Sequence, residues 1–404
     1  MKPEAKGRKR RKRSRVALVC AGGGVTGALY EIGCLKALDE TLDLDLTNLD
    51  FYVGVSGGAF VAALLASGFG PGEMYREITT GGASPFGVPA AAMFRLGVAE
   101  YARRALRLPS AVFKAAQALF SGDTSSPRDV FLPFLEVIPP GLLDNSGVEE
   151  FLRNLLNRFN KTNDFDTLHA PLRIIAVDLD RGETVAFGDK RHRSVSISEA
   201  VQASTALPGL YRPVHLKGKD YVDGGVTKTA HINLAIRSGA DLVICINPLV
   251  PILNGASRSS LGPLSSHGVD TVLGQVLRIL IHGRFEYGMD RYRTEHPEVD
   301  ILLLEPTRDD LTMFRYDIMR YSARKALTRH GRMSALETLK HKKPALEETL
   351  ARHGVRFKHA PILNRLPERP AEEHKAQSAQ ALAASLDVLD RSLAARRRPL
   401  ASAS

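Results

Sequence analysis

Short apolar runs alternate with stretches of helical periodicity along most of the chain. Val16–Cys20, Phe51–Val55, Leu172–Val177, Leu242–Ile246 and Ile301–Leu304 are nearly unbroken and short, which reads as strands covered on both faces. Between them, residues 27–40 place Ala28, Ile32, Leu35 and Leu38 on one helical face, and residues 57–67 form a second helical run. Such alternation predicts an α/β fold, a three-layer sandwich with a mostly parallel central sheet. Residues 71–145 break the rhythm with scattered Gly, Pro and aromatics, among them Pro85, Phe86, Pro89, Phe94, Pro109, Phe113 and Phe120, and are expected to form a cap or lid insertion. Within them, 99–120 sets Arg103, Arg104, Arg107 and Lys114 beside Leu106, Val112, Phe113 and Leu119. That basic amphipathic pattern fits either a cap packing on the core or a lid or membrane-facing surface. Long helices are expected over 314–352, with Pro344, Pro361, Pro367 and Pro370 as breaks farther along and a helix at 371–395 before the basic end Arg396–Arg398. The expected organisation is a basic tail at 1–15, an α/β domain at 16–310 and a helical C-terminal region at 311–404.

Two strand-to-helix junctions carry glycine-rich turns. The second of them, Gly54-Val55-Ser56-Gly57-Gly58, has the layout of a nucleophile elbow. A sharp turn there exposes the serine hydroxyl, small neighbours two residues away avoid collision, and the following helix directs free N–H groups at an oxygen that becomes negative. The first, Gly22-Gly23-Gly24-Val25-Thr26-Gly27, brings bare backbone amides to a ligand, as an oxyanion hole requires. The same letters also spell G-x-G-x-x-G, the dinucleotide fingerprint. That reading expects an acid at the end of the second strand, whereas here the strand runs into Gly54-Val55-Ser56 and Asp50 precedes it. Farther on, Tyr221-Val222-Asp223-Gly224-Gly225 reads in isolation as a tight turn at a strand end.

Taken together and in this order, the three segments resemble the patatin-like phospholipase family. Ala203-Ser204-Thr205-Ala206-Leu207-Pro208, followed by Tyr211-Arg212-Pro213-Val214, is similar to the block that precedes that family's aspartate. The resemblance covers roughly residues 15 to 250. It implies a lipid acyl hydrolase of phospholipase A or lipase type with a Ser56–Asp223 dyad in place of a triad. It further implies an oxyanion hole drawn from Gly22, Gly23, Gly24, Val25 and Gly57, no cofactor and no metal. Asp223 would have to be partly buried, since an ordinary aspartate at about 3.9 is a weak base for a serine. Two departures stand out. Thr26 replaces a basic residue frequent in the family, and Val226 to Ile232 replaces the usual Asn-Pro continuation. His231 offers an alternative base, because Ser–Asp–His order is allowed, although eight positions after Asp223 is close for a triad histidine. An alternative of another class is a nucleotide-binding or scaffolding protein that uses the G-x-G-x-x-G turn without hydrolysis.

Charge refines this picture. The net charge of +11 lies at the ends: residues 1–15 hold nine Lys/Arg against Glu4, and 320–404 hold 18 against eight acids, which leaves 16–319 mildly acidic. The run from Lys6 to Arg15 reads as a solvated tail or as a patch attracted to anionic headgroups. No nucleic-acid partner is expected. Cys20, Cys34 and Cys245 read as buried free thiols, consistent with reducing conditions. With no apolar stretch of about 20 residues and glycines closely following the basic run, the expectation is a cytoplasmic protein, soluble or peripheral to a membrane, acting on a lipid substrate.

Overall fold

The structure, a computed structural model, describes residues 13–80, 86, 90–96, 106, 108–120, 139–254, 261–358 and 363. The strands are β1 (Val16–Cys20), β2 (Phe51–Val55), β3 (Arg95–Leu96), β4 (Gly141–Asp144), β5 (Leu172–Asp178), β6 (Glu183–Phe187), β7 (Gly209–Tyr211), β8 (Val214–Leu216), β9 (Lys219–Asp223), β10 (Leu242–Ile246) and β11 (Asp300–Leu304). The helices are α1 (Gly24–Thr41), α2 (Gly57–Ala66), α3 (Pro71–Thr80), α4 (Ala90–Met93), α5 (Leu108–Phe120), α6 (Ser146–Arg158), α7 (Ile197–Ser204), α8 (Ile232–Arg237), α9 (Val269–Glu295), α10 (Leu311–Arg315) and α11 (Arg324–Arg352). The basic run up to Lys12, most of 97–107 and the expected helix at 371–395 with its basic end lie outside the described residues.

Eight strands form the main sheet in the order β11-β10-β1-β2-β5-β9-β8, with β6 also paired to β5. From β11 to β5 the strands run parallel, and β6, β8 and β9 join as antiparallel neighbours. This is the expected mixed α/β architecture, a mostly parallel sheet with helices on both faces. The strand pattern explains it. Ala17, Val19, Val53, Val55, Val243 and Cys245 share one core with Ile232 and Ala235 of α8 and Phe285 and Met289 of α9. The intervening Leu18, Cys20, Tyr52 and Ile244 are equally buried, so both faces of each strand are covered. On that second face α2 packs on β1, β2 and β5, and α1 packs in turn on α2, α3 and α11.

The chain divides into two compact units, Met1–His359 and Ala360–Ser404. Helix α11, assigned from sequence to a separate C-terminal region, packs along α1 within the first unit. The reason is backbone proximity. A Cβ on Gly33 would collide with the backbone at Thr328 and Arg332, and one on Gly331 would collide with the Tyr30 carbonyl. The stripe Leu327, Gly331, Ala335 and Leu339 is buried ahead of Pro344, and the helix continues through that proline instead of breaking there. Gly331→Val is therefore expected to lower unfolding stability by roughly 3 kcal/mol, the upper end for overpacking. An unchanged urea midpoint would show that the two helices do not meet this closely.

Within 71–145, α3 belongs to the helical layer beside α1 and α11. Strands β3 and β4 instead form a small sheet with β7, which follows the Ala203–Pro208 block. Helix α5 leaves Leu108, Val112 and Phe113 exposed.

Candidate active site

The sheet register brings the two proposed reacting groups together. Strand β2 pairs with β5 up to Val55 opposite Ile175. On the same edge of β5, β9 arrives from the other direction and ends with Asp223 opposite Ala176. The opposite edge of β5 is occupied by β6. So β2 and β9 meet nearly end to end, and the residue after β2 faces the last residue of β9. Ser56 Oγ donates to Asp223 Oδ2 at 2.6 Å.

Ser56 occupies a turn that an L-residue rarely adopts, with φ 53° and ψ −127°. Its neighbours explain how the turn closes. A Cβ on Gly58 would lie 2.5 Å from the Cys20 and Ala21 carbonyls, and one on Gly57 would collide with the Gly24 carbonyl. Hence α2 starts directly against the first glycine turn, and the N-termini of α1 and α2 converge beside Ser56. The turn is anchored by Ser204, whose Oγ accepts from the Ser56 N–H at 2.9 Å and donates to the Ile175 carbonyl at 2.5 Å. Two residues later, the Ala206 carbonyl accepts the Asp223 N–H at 3.0 Å. One short segment thus positions both members of the pair. The block containing Ser204 was visible in the sequence, but nothing in the sequence assigned it this bridging role.

Ser204→Ala strands the Ser56 N–H and the Ile175 carbonyl, a cost of about 1–3 kcal/mol. With Ser56 as the nucleophile the sequence leads one to expect, small displacements are expensive, and kcat on a soluble ester should fall about 10- to 100-fold with little change in KM. Ser204→Thr, which keeps the hydroxyl, should recover most of it. Equal kcat for Ser204→Ala and wild type would remove the positioning role.

Asp223 is 2% exposed and Ser56 8%. Burial raises the Asp223 pKa from its ordinary 3.8 to about 6, while the hydrogen bonds from Ser56 and from the Gly225 N–H pull the other way. The latter bond, 2.7 Å to Oδ1, orients the carboxylate and leaves Oδ2 to the serine. His231 makes no hydrogen bond to either residue. It caps α8, its Nε2 is buried without a partner, and burial followed by the charge of Lys228 lowers its pKa to about 4.

All the glycine-turn candidates line one cavity of about 920 Å³ with Ser56 and Asp223. Gly22 is a special case among them, since its N–H donates to the Thr229 carbonyl at 2.9 Å. Gly24, Val25 and Gly57 stand in the first turns of α1 and α2, where N–H groups have no intrahelical acceptor. No described residue accepts from them or from the Gly23 N–H. Thr26, by contrast, is tied to the Ile318 carbonyl at 3.0 Å. The other walls are largely apolar, with Phe60, Ile78, Leu277, Leu280 and Phe314 among them. Asp50, the acid nearest to β2, accepts the Val16 N–H at the opposite edge of the sheet. Among the described residues, no group of three or more His, Cys, Asp or Glu is placed to hold a metal ion, and no helix is long and apolar enough to cross a membrane.

A probable lipid hydrolase, 463L of Invertebrate iridescent virus 6, is 21% identical over 222 residues, 54% of this chain and 63% of its own length. The chain thus spans less than two thirds of that relative. Among solved structures, VipD from Legionella pneumophila aligns with 81% of this chain and 67% of its own at 15% identity and a TM-score of 0.35. The family model described as patatin-like phospholipase matches residues 18–236, a span that runs from β1 through Ser56 and Asp223 and exceeds half of the 404 residues. The chain belongs to the patatin-like phospholipase family.

Proposed function

We propose that the protein is a serine acyl hydrolase that cleaves ester bonds of phospholipids or related lipids through a Ser56–Asp223 dyad. The observation that carries this reading is the 2.6 Å contact between Ser56 Oγ and Asp223 Oδ2 at the wall of a large apolar cavity. A cavity of this size with largely apolar walls suits an acyl chain. The name of the viral relative, a probable lipid hydrolase, supports the same class of substrate.

In this mechanism Asp223 Oδ2 takes the hydroxyl proton as Ser56 Oγ attacks the ester carbonyl. The free N–H groups of Gly23, Gly24, Val25 and Gly57 receive the oxyanion, a fixed set of dipoles that needs no reorganisation. The leaving alcohol takes the proton back from Asp223, and the acyl group stays on Ser56 Oγ. Water then gives a proton to Asp223 and attacks the acyl-enzyme; that proton returns to Ser56 as the fatty acid departs. One carboxylate serves both halves because its protonated and ionised forms are close in energy near neutral pH.

A fluorophosphonate probe tests the reading. Phosphorus–oxygen bond formation at Ser56 with loss of fluoride should label the wild type and not Ser56→Ala, and fatty acid release from a lipid panel should vanish in the same variant. Labelling that survives Ser56→Ala would overturn the assignment.

A further inference from the structure

The N-terminal half of helix α9, up to Leu280, exposes its apolar side chains and buries Arg278. The buried positions of the whole helix are Arg278, His282, Phe285 and Met289, one helical stripe. Arg278 donates to the Met313 carbonyl at 3.1 Å and lies over the Phe314 ring. Its outward stripe is Val269, Val272, Val276 and Ile279, exposed between 36% and 73%. The adjoining stripe, Leu273, Leu277 and Leu280, lines the cavity and is also exposed. A helix facing water has the opposite arrangement. The apolar stretch Val269–Leu280 spans about 17 Å at 1.5 Å per residue, a contiguous surface too large to be scattered exposure.

The next turns of the helix balance Arg284, Arg291 and Arg293 with Glu286, Asp290 and Glu295, and Arg291 and Arg293 pair with Glu295 and Asp290, but the walls beside them carry more basic than acidic side chains. One turn beyond Leu280, Arg284 lines both the cavity and a neighbouring hollow of about 310 Å³ that also holds Lys228, Arg237 and Arg291. Arg315 and Arg320 stand at the cavity wall as well, against Asp270 and Asp317. Among the described residues, Arg284, Arg315, Arg320, Lys228 and Arg237 have no carboxylate within 4.0 Å. Tyr287 is 76% exposed in the same region, and a tyrosine with an apolar ring and a polar tip suits a membrane–water boundary.

We propose that the N-terminal half of α9 docks on the leaflet of an anionic phospholipid membrane. Val269, Val272, Val276 and Ile279 sit among acyl chains, while Arg284 and the neighbouring basic side chains meet the lipid phosphates. This deepens the acyl hydrolase reading and rests on it for one consequence. With the outward stripe in lipid, the adjoining Leu273, Leu277 and Leu280 form a continuous apolar track from the leaflet to Ser56, so an acyl chain enters without crossing water. Anionic lipid complements the basic charge beside α9, whereas a second copy of the chain would set the same basic rim against itself.

The chain contains no tryptophan, which makes one introduced indole an unambiguous reporter. Val276→Trp should show a blue-shifted emission with vesicles of phosphatidylglycerol and phosphatidylcholine, and quenching by lipids brominated on the acyl chains. Electrostatic attraction through the basic termini alone would produce neither. Val272→Ser, Val276→Ser and Ile279→Ser together should weaken binding to those vesicles at least tenfold at an unchanged thermal unfolding midpoint. Vesicles of phosphatidylcholine alone should bind the wild type at least tenfold more weakly than the mixed ones.

Unshifted Val276→Trp emission on bound vesicles, equal vesicle affinity of the triple variant, or no preference for the anionic vesicles would each overturn the proposal. So would a dimer in sedimentation analysis that the triple variant dissociates, since the surface would then belong to a second copy. Turnover of a soluble ester by the wild type separates the two readings. Docking without any such turnover would sink the hydrolase assignment and leave the docking surface standing, and turnover without docking would do the reverse.

Discussion

Asp223→Asn is expected to lower kcat for ester hydrolysis by about 10³- to 10⁴-fold, the usual worth of a positioned general base, in a chain that remains folded. The amide is nearly isosteric, and its oxygen still accepts from Ser56 or the Gly225 N–H, so the β9 terminus and its backbone bond to Ala206 remain. What is lost is a proton acceptor 2.6 Å from Ser56 Oγ. His231→Ala discriminates the competing triad. That ring hydrogen-bonds to neither Ser56 nor Asp223, and turnover should stay within about threefold of wild type, as for a side chain outside the reacting set. Near-normal activity in Asp223→Asn combined with collapse in His231→Ala would replace the dyad with a histidine base.

The pH dependence of the same reaction should follow the buried carboxylate. With the Asp223 pKa raised to about 6, kcat/KM on an uncharged soluble ester is expected to fall tenfold per pH unit below 6 and to level off above it. A histidine base with its pKa lowered to about 4 would move that limb down by about two units. The sign of the accompanying stability effect is fixed by linkage. The folded-state pKa lies above the unfolded value, so the protonated form is favoured on folding. The associated stability is fully present below about pH 4 and is lost as pH rises through 6. At pH 8 the ionised carboxylate therefore costs about 3 kcal/mol, since each pKa unit is worth about 1.36 kcal/mol. Asp223→Asn should remove most of that cost, which makes the inactive variant more stable at pH 8 and about equal to wild type near pH 3. A variant less stable than wild type at pH 8 would contradict the desolvated environment of Asp223.

The five parallel strands and both glycine turns were legible in the sequence because each is local, whereas the short β3, β4, β6, β7 and β8 were not foreseen. Apolar runs of five residues, a glycine on each side of a serine and a carboxylate before two glycines all declare themselves over a short window. The helix boundaries shifted little, with α1 beginning at Gly24 where periodicity suggested 27. Harder to foresee was α11. Its continuity through Pro344 and its place beside α1 depend on Gly33 and Gly331, nearly 300 positions apart, approaching at backbone distance. The supporting role of Ser204 was equally hidden, since its two partners, Ser56 just after β2 and Ile175 in the middle of β5, are distant in sequence.

By itself the sequence determined which chemical groups are present, the alternation that builds a parallel sheet, and the order of motifs that marks the family. Tertiary structure alone decided that β2 and β9 share one edge of β5, so that a hydroxyl and a carboxylate 167 positions apart meet at 2.6 Å. It also decided that Gly22 spends its N–H on Thr229 and that α9 turns its valines outward. The physical reason is that proximity, burial and the pKa shifts they cause are set by strand register and helix packing, which sum weak contacts over the whole chain and leave no trace in any single segment of it.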